Sequence, residues 1–171
     1  RESAARSQST PSLPPPRMAT LTFILVGSGG APIYEADLTR AGDPGTAAGA
    51  APSTPASDDA ARAQYLHHFV LHAALDAVDD AAAATSAPHL GAVDRFNALT
   101  VSAYASPSRL RLLLLHDGRP DDVVRGFFRE VHEAVVKAAL NPFFSDAVPV
   151  AAPGFDRRVR SLARSYFRTV G

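Results

Sequence analysis

A chain of 171 residues can bury one core of ordinary domain size, and its 46% hydrophobic content excludes disorder throughout. Its 17 basic residues balance 17 acidic ones, so bulk nucleic-acid binding is not expected. The absence of cysteine removes disulfides, thiolate catalysis and Cys-based zinc sites together, and no apolar run approaches the roughly 20 residues that cross a bilayer, so a soluble cytosolic protein is expected. Every basic residue except Lys137 is an arginine, which with the alanine-rich stretches reads as compositional bias rather than as a site.

Residues 1–17 lack periodicity and end in a proline run, which predicts a disordered or polyproline-like extension ahead of a natural start at Met18. Their Arg- and Ser-rich, acid-poor composition loosely suits a transit peptide, and the proline run is a weak candidate for docking on an aromatic groove. Leu21–Val26 is apolar at successive positions and predicts a strand covered on both faces. Gly27-Ser28-Gly29-Gly30 then leads into a second strand, Ile33–Leu38, with Glu35 and Asp37 on one face. A glycine-rich loop after a strand suggests phosphate binding only when a helix follows. Here the next element is a strand and no Lys-Ser/Thr is present, so a hairpin turn is predicted.

Residues 41–57 form a low-complexity loop, after which Ser57 or Asp58 can cap a helix running to Asp80. Leu66, Phe69, Val70, Ala73 and Ala77 share one stripe of that helix, while Leu71, Leu75 and Val78 point to nearly the opposite side. His68, His72, Asp76 and Asp79 lie on the flank between them. Two apolar sectors predict a helix covered on both sides, by its own sheet and by something else. With Leu66, Phe69, Val70 and Ala73 on the sheet, the expected partner surface is His68, Leu71, His72, Leu75, Asp76, Val78 and Asp79. The opposite seating, with Leu71 and Leu75 inward, makes Phe69 the exposed anchor.

Ala92–Asn97 and Thr100–Ala105 are the next strand candidates, and Arg109–His116 is a second strand apolar on both faces, placed at the sheet centre beside the first. Pro120, Asp121 and Asp122 suit a helix start; Val124, Phe127, Phe128, Val131 and Val135 form one stripe, and Asn141-Pro142 ends it. A last helix spans about Phe155–Phe167, with Phe155, Val159, Leu162 and Tyr166 apolar and Arg157, Arg158, Arg160, Arg164 and Arg168 on its remainder. That basic remainder is read as a solvated face, although the same chemistry suits acidic lipid headgroups or an acidic partner. The order strand, strand, helix, three strands, helix, helix predicts an α+β domain with helices covering a mostly antiparallel sheet.

Two constellations invite chemistry. His68, His72 and Asp76, at i, i+4 and i+8, resemble a metal-ligand row, but successive turns lie about 5.4 Å apart along the axis, so one helix rarely supplies all three ligands. No metal is expected. His116-Asp117 ends a central strand, where α/β enzymes often keep catalytic groups, but a nucleophile is missing: there is no cysteine and no G-x-S-x-G elbow around Ser102. No catalytic residue and no cofactor are expected.

From Met18 to Arg168, apart from residues 41–57, the sequence resembles the sedlin family, the small longin-fold subunits of the transport protein particle (TRAPP) tethering complex. The matching stretches are His72-Ala-Ala-Leu-Asp76-Ala-Val-Asp79, Val93-Asp-Arg-Phe-Asn97, Leu115-His-Asp117, Asn141-Pro-Phe143 and Phe155-Asp-Arg-Arg-Val159. Sedlin-like paralogous subunits lack the first two wordings. The chain departs from the family in its longer loop at 41–57 and in Ala98-Leu99, where a bulkier aromatic pattern is usual. The resemblance implies a longin-like domain over 18–171, built on a five-stranded antiparallel sheet with one helix on one face and two on the other. It further implies a non-enzymatic adaptor in a cytosolic complex at endoplasmic reticulum and Golgi membranes. Its partners would be other TRAPP subunits, with a Rab GTPase or SNAREs reached indirectly and membranes reached through the complex. The alternatives are a stand-alone longin-like domain that binds a small hydrophobic ligand or a SNARE or GTPase partner, or the sedlin-like paralogous subunit.

Overall fold

The computed structural model describes residues 20–39, 58–142, 144–145, 149–150 and 153–167; the segments 1–17 and 41–57 lie outside them. The elements are β1 (Leu21–Val26), β2 (Pro32–Asp37), α1 (Asp58–Ala73), α2 (Leu75–Ala84), β3 (His89–Phe96), β4 (Leu99–Ala105), β5 (Arg111–His116), α3 (Asp121–Ala139) and α4 (Pro153–Phe167). The strands form one sheet in the order β2-β1-β5-β4-β3, antiparallel throughout. β1 and β5 pair in the middle, from Leu21 opposite His116 to Val26 opposite Arg111. These are the two strands whose sequences are apolar on both faces.

Because side chains alternate across a strand, β1 and β5 feed two cores at once. Phe23, Leu25, Leu112 and Leu114 pack with α3 and α4, while Ile24, Val26, Leu113 and Leu115 pack with α1 and α2. The glycine loop is the predicted hairpin turn: Gly27 N–H donates to the Ala31 carbonyl, Gly30 N–H to the Gly27 carbonyl, and Gly30 takes φ +81°. β3 starts three residues earlier than the sequence pattern indicates and carries two register shifts, with Gly91 at φ +70°. Such bulges interrupt the ladder of an edge strand and discourage further pairing.

α3 and α4 lie antiparallel as one layer. A Cβ on Gly126 would come within 2.7 Å of the Tyr166 ring, so glycine permits the close approach. Aromatic rings tie this layer to the sheet, with Phe127 edge-on to Phe23 at 5.7 Å and Phe155 edge-on to Tyr34 at 5.0 Å.

The helix predicted as one piece over Asp58–Asp80 is two, interrupted at Ala74 and reaching Ala84. Hydrogen bonds from Ala74 N–H to Val70 and from Val78 N–H to Ala74 span the break. Its seating differs from the preferred sequence reading. Val70, Leu71, Ala74 and Val78 are the buried positions, whereas Phe69 is 70% exposed. The branched sheet face built by Ile24, Val26, Val101 and Leu113 accepts a sector of compact aliphatic side chains with Ala74 at its centre. That sector lets the helix come closer than the aromatic one would, and it gains more contact at native density.

The basic face of α4 also needs one correction. Arg160 is buried rather than solvated: its Nε donates to both Asp156 carboxylate oxygens at 3.1 and 3.0 Å, and its Nη1 to the Asp37 carbonyl at 3.2 Å. The Tyr34 hydroxyl donates to Asp156 at 2.9 Å, and burial followed by the Asp156 carboxylate raises the tyrosine pKa strongly. A polar network therefore joins β2 to α4. A second buried pair, Ser102 Oγ and His116 Nε2 at 3.0 Å, lies at the sheet centre, and His116 Nδ1 accepts the Arg119 N–H at 2.9 Å. Burial lowers the pKa of His116, His67 and His132, and the nearby Asp117, Asp37 and Glu133 offset this only in part.

Two stability predictions follow from these groups. Asp156→Ala strands a buried guanidinium and should cost about 3–5 kcal/mol in denaturant unfolding; a loss below about 1 kcal/mol would remove the network's structural role. The lowered histidines mean that the unfolded chain takes up protons before the folded one does. Stability should therefore be full above about pH 6.5 and fall as the pH drops through that value. Melting curves between about pH 7.5 and 5 check this, and His116→Gln should flatten the dependence.

Candidate functional site

The surface most unlike ordinary solvent-exposed protein lies on α1. Tyr65 is 77% exposed, Phe69 70% and Leu66 44%. Tyr65 and Phe69 are four residues apart, so their rings rise from one side of the helix, with His72 and Asp76 continuing that side. The helix holds them out because its opposite side, Val70, Leu71 and Ala74, is committed to the sheet.

The residues expected at a partner surface divide into two groups. Leu71 and Val78 are 1% and 0% exposed and belong to the core, and Leu75 packs half-buried against them, so these three do not form an outer patch. His68, His72, Asp76 and Asp79 do reach the surface. Glu35 of β2 gathers two of them: His68 Nδ1 lies 3.3 Å from Oε2 and His72 Nε2 lies 4.0 Å from Oε1. Asp79 instead pairs with Arg111, and Asp76 remains exposed.

Sequence reasoning missed Tyr65 entirely and in its preferred seating placed Phe69 inside, whereas the opposite seating, with Leu71 inward and Phe69 exposed, is the one adopted. A signal was present, since two aromatics four residues apart share their side of the helix with Arg62, His72 and Asp76. A side with that many charges is rarely the buried one. Glu35 could not be linked to the histidines from spacing alone, because the pairing depends on where α1 crosses β2.

The chemistry of the other candidates is also set by geometry. In the Ser102–His116 pair, Nδ1 accepts a backbone N–H, so the proton of the neutral ring sits on Nε2 and is donated to the serine. A histidine held this way does not take the serine proton, and Asp117 turns to Arg119 Nε at 3.1 Å instead. The pair is a buried structural contact. Among the described residues no group of three or more His, Asp or Glu is arranged to hold a metal ion, and no helix is long and apolar enough to cross a membrane. Between α3 and α4 runs a groove of ≈ 480 Å³ lined by Ala134, Ala138 and Phe155 together with Glu130, Lys137 and Arg158.

The family profile described as Sedlin matches residues 25–165. The chain is similar to the transport protein particle 20 kDa subunit of Schizosaccharomyces pombe, 36% identical over 60% of this chain and 75% of that protein. It is 39% identical to the probable trafficking protein particle complex subunit 2 of Caenorhabditis elegans over 60% of this chain and 73% of that one. The Drosophila melanogaster protein of the same name is 30% identical over 87% of this chain and 98% of its own length. A profile spanning most of the chain, relatives matched along most of their length, and a five-stranded antiparallel sheet between two helical layers lead to one conclusion: the chain belongs to the sedlin family.

Proposed function

We propose that this chain is a non-catalytic adaptor subunit of a TRAPP-type vesicle-tethering complex, held in place through the outward side of α1. The observation that carries this reading is the exposure of Tyr65, Leu66 and Phe69 beside His68, His72 and Asp76. Rigid aromatic anchors inside a rim of polar groups are the usual makeup of an interface core. The names of the relatives support assembly with other subunits of a trafficking particle. In this reading the chain works at endoplasmic reticulum and Golgi membranes. It contributes position, and no catalytic side chain, to an assembly that exchanges nucleotide on a Rab GTPase, and any SNARE is met through the complex.

A pair of substitutions tests the assignment. Phe69→Arg should leave the isolated chain folded with its melting temperature nearly unchanged, while co-purification with the complex drops about thirtyfold or more, as expected for an anchor worth about 2 kcal/mol. Leu71→Arg should unfold the isolated chain, because it forces a charge into the core. A Phe69→Arg chain that co-purifies like wild type would place the interface elsewhere.

A further inference from the structure

The arginines of the last two helices are not absorbed by assembly through α1, which lies on the other side of the sheet. On α3, the side opposite Val124, Phe127, Val131 and Val135 carries Arg125 and Arg129, followed by Val136 and Leu140, 46% and 78% exposed. On α4, the side opposite Phe155, Val159 and Leu162 carries Arg157 and Arg164. The two helices form one layer, cross-linked by Arg158 to Glu130 at 3.2 Å, so their outward sides make a single broad face. Among the described residues Arg125, Arg129 and Arg164 make no ion pair, and Arg157 reaches only the Pro153 carbonyl. The exposed acids beside them are Asp121, Asp122 and Glu133, of which Asp121 faces His89 Nε2 at 3.0 Å. The layer on the far side of the sheet is charged the other way, with Asp76, Asp79 and Asp80 exposed on α2.

We propose that the outward face of α3 and α4 docks on an anionic phospholipid bilayer, with Arg125, Arg129 and Arg164 on headgroup phosphates and Leu140 entering the interface. Guanidinium groups match phosphate oxygens in a forked geometry and are weakly hydrated for a cation. The cations are spread across two helices rather than converging on one pocket, which suits a fluid sheet of phosphates better than a fixed acidic peptide. A chain with no net charge has no bulk attraction to a bilayer, so the polarisation between its two layers sets which side approaches. An exposed leucine beside such cations adds the apolar element of an interfacial contact.

Sedimentation of the purified full chain with vesicles of phosphatidylcholine alone, or of phosphatidylcholine mixed with phosphatidylserine, tests the face. Binding should require phosphatidylserine and weaken as salt shortens the Debye length. At about fivefold per surface cation lost, the combined R125E/R129E/R164E variant should bind at least about a hundredfold less. Leu140→Asp should reduce binding several-fold, and melting curves confirm that each variant is folded. Phe69→Arg should bind vesicles as wild type does, and the triple variant should still co-purify with the complex, so loss of membrane docking and loss of assembly are read separately. The proposal is overturned if wild type shows no preference for phosphatidylserine, or if the triple variant binds vesicles unchanged. It is equally overturned if the triple variant loses the complex while keeping the vesicles, which would assign the face to an acidic protein.

Discussion

β1 and β5 lie side by side with no polar side chain at any inner position except Thr22 and His116, and both strands are buried on both faces. A single helical layer would leave one of those faces in water, at a cost proportional to the apolar area exposed. Two-sided coverage is therefore the condition on which the rest of the molecule depends. It is met by helices inserted between β2 and β3 and by helices following β5, and it makes the sheet a thin partition between two separate cores. Each core then fixes one helical layer and, by exclusion, decides what that layer presents to solvent.

On the α1 side this exclusion yields the aromatic surface. Choosing Val70, Leu71, Ala74 and Val78 as the buried sector leaves Tyr65 and Phe69 outside, because residues separated by about half a helical turn cannot share a face. On the α3 and α4 side the same logic leaves arginines outside and takes one of them, Arg160, in. The buried arginine is tolerable because Asp156 and the Asp37 carbonyl satisfy it, with the Tyr34 hydroxyl completing the carboxylate's shell. The chain thus carries unlike surfaces on its two sides: aromatic with exposed aspartates on one, cationic on the other. A subunit seated between a protein assembly and a membrane would need that division.

His116 shows how a motif that invites enzymology becomes architecture. A histidine and an aspartate at the end of a central strand, with a serine on the neighbouring strand, contain the ingredients of a triad. Yet the Arg119 N–H claims Nδ1, and Arg119 Nε claims Asp117. The imidazole is left as a donor to Ser102, tying β5 to β4 inside the sheet rather than activating a nucleophile.

Much was determined by the sequence itself. Runs apolar at every position placed β1 and β5 at the centre, glycines placed the first turn, a clean stripe at the helical period placed α3, and separated family wordings such as His72–Asp79 and Val93–Asn97 identified the family. These are local or additive signals, and neighbouring residues suffice to read them. The face of α1 was a different matter. Its two apolar sectors were of similar strength, so only the shape of the sheet beneath, and the close approach that Ala74 permits, decided that Leu71 and Val78 go in and Phe69 stays out. The burial of Arg160 and the pairing of Glu35 belong to the same class: Arg160 has Asp156 on its own helix, but the Asp37 carbonyl that it also meets is 123 residues away, and Glu35 meets histidines 33 or more residues away. Periodicity reports that a residue has a side; only the packed structure supplies what that side meets.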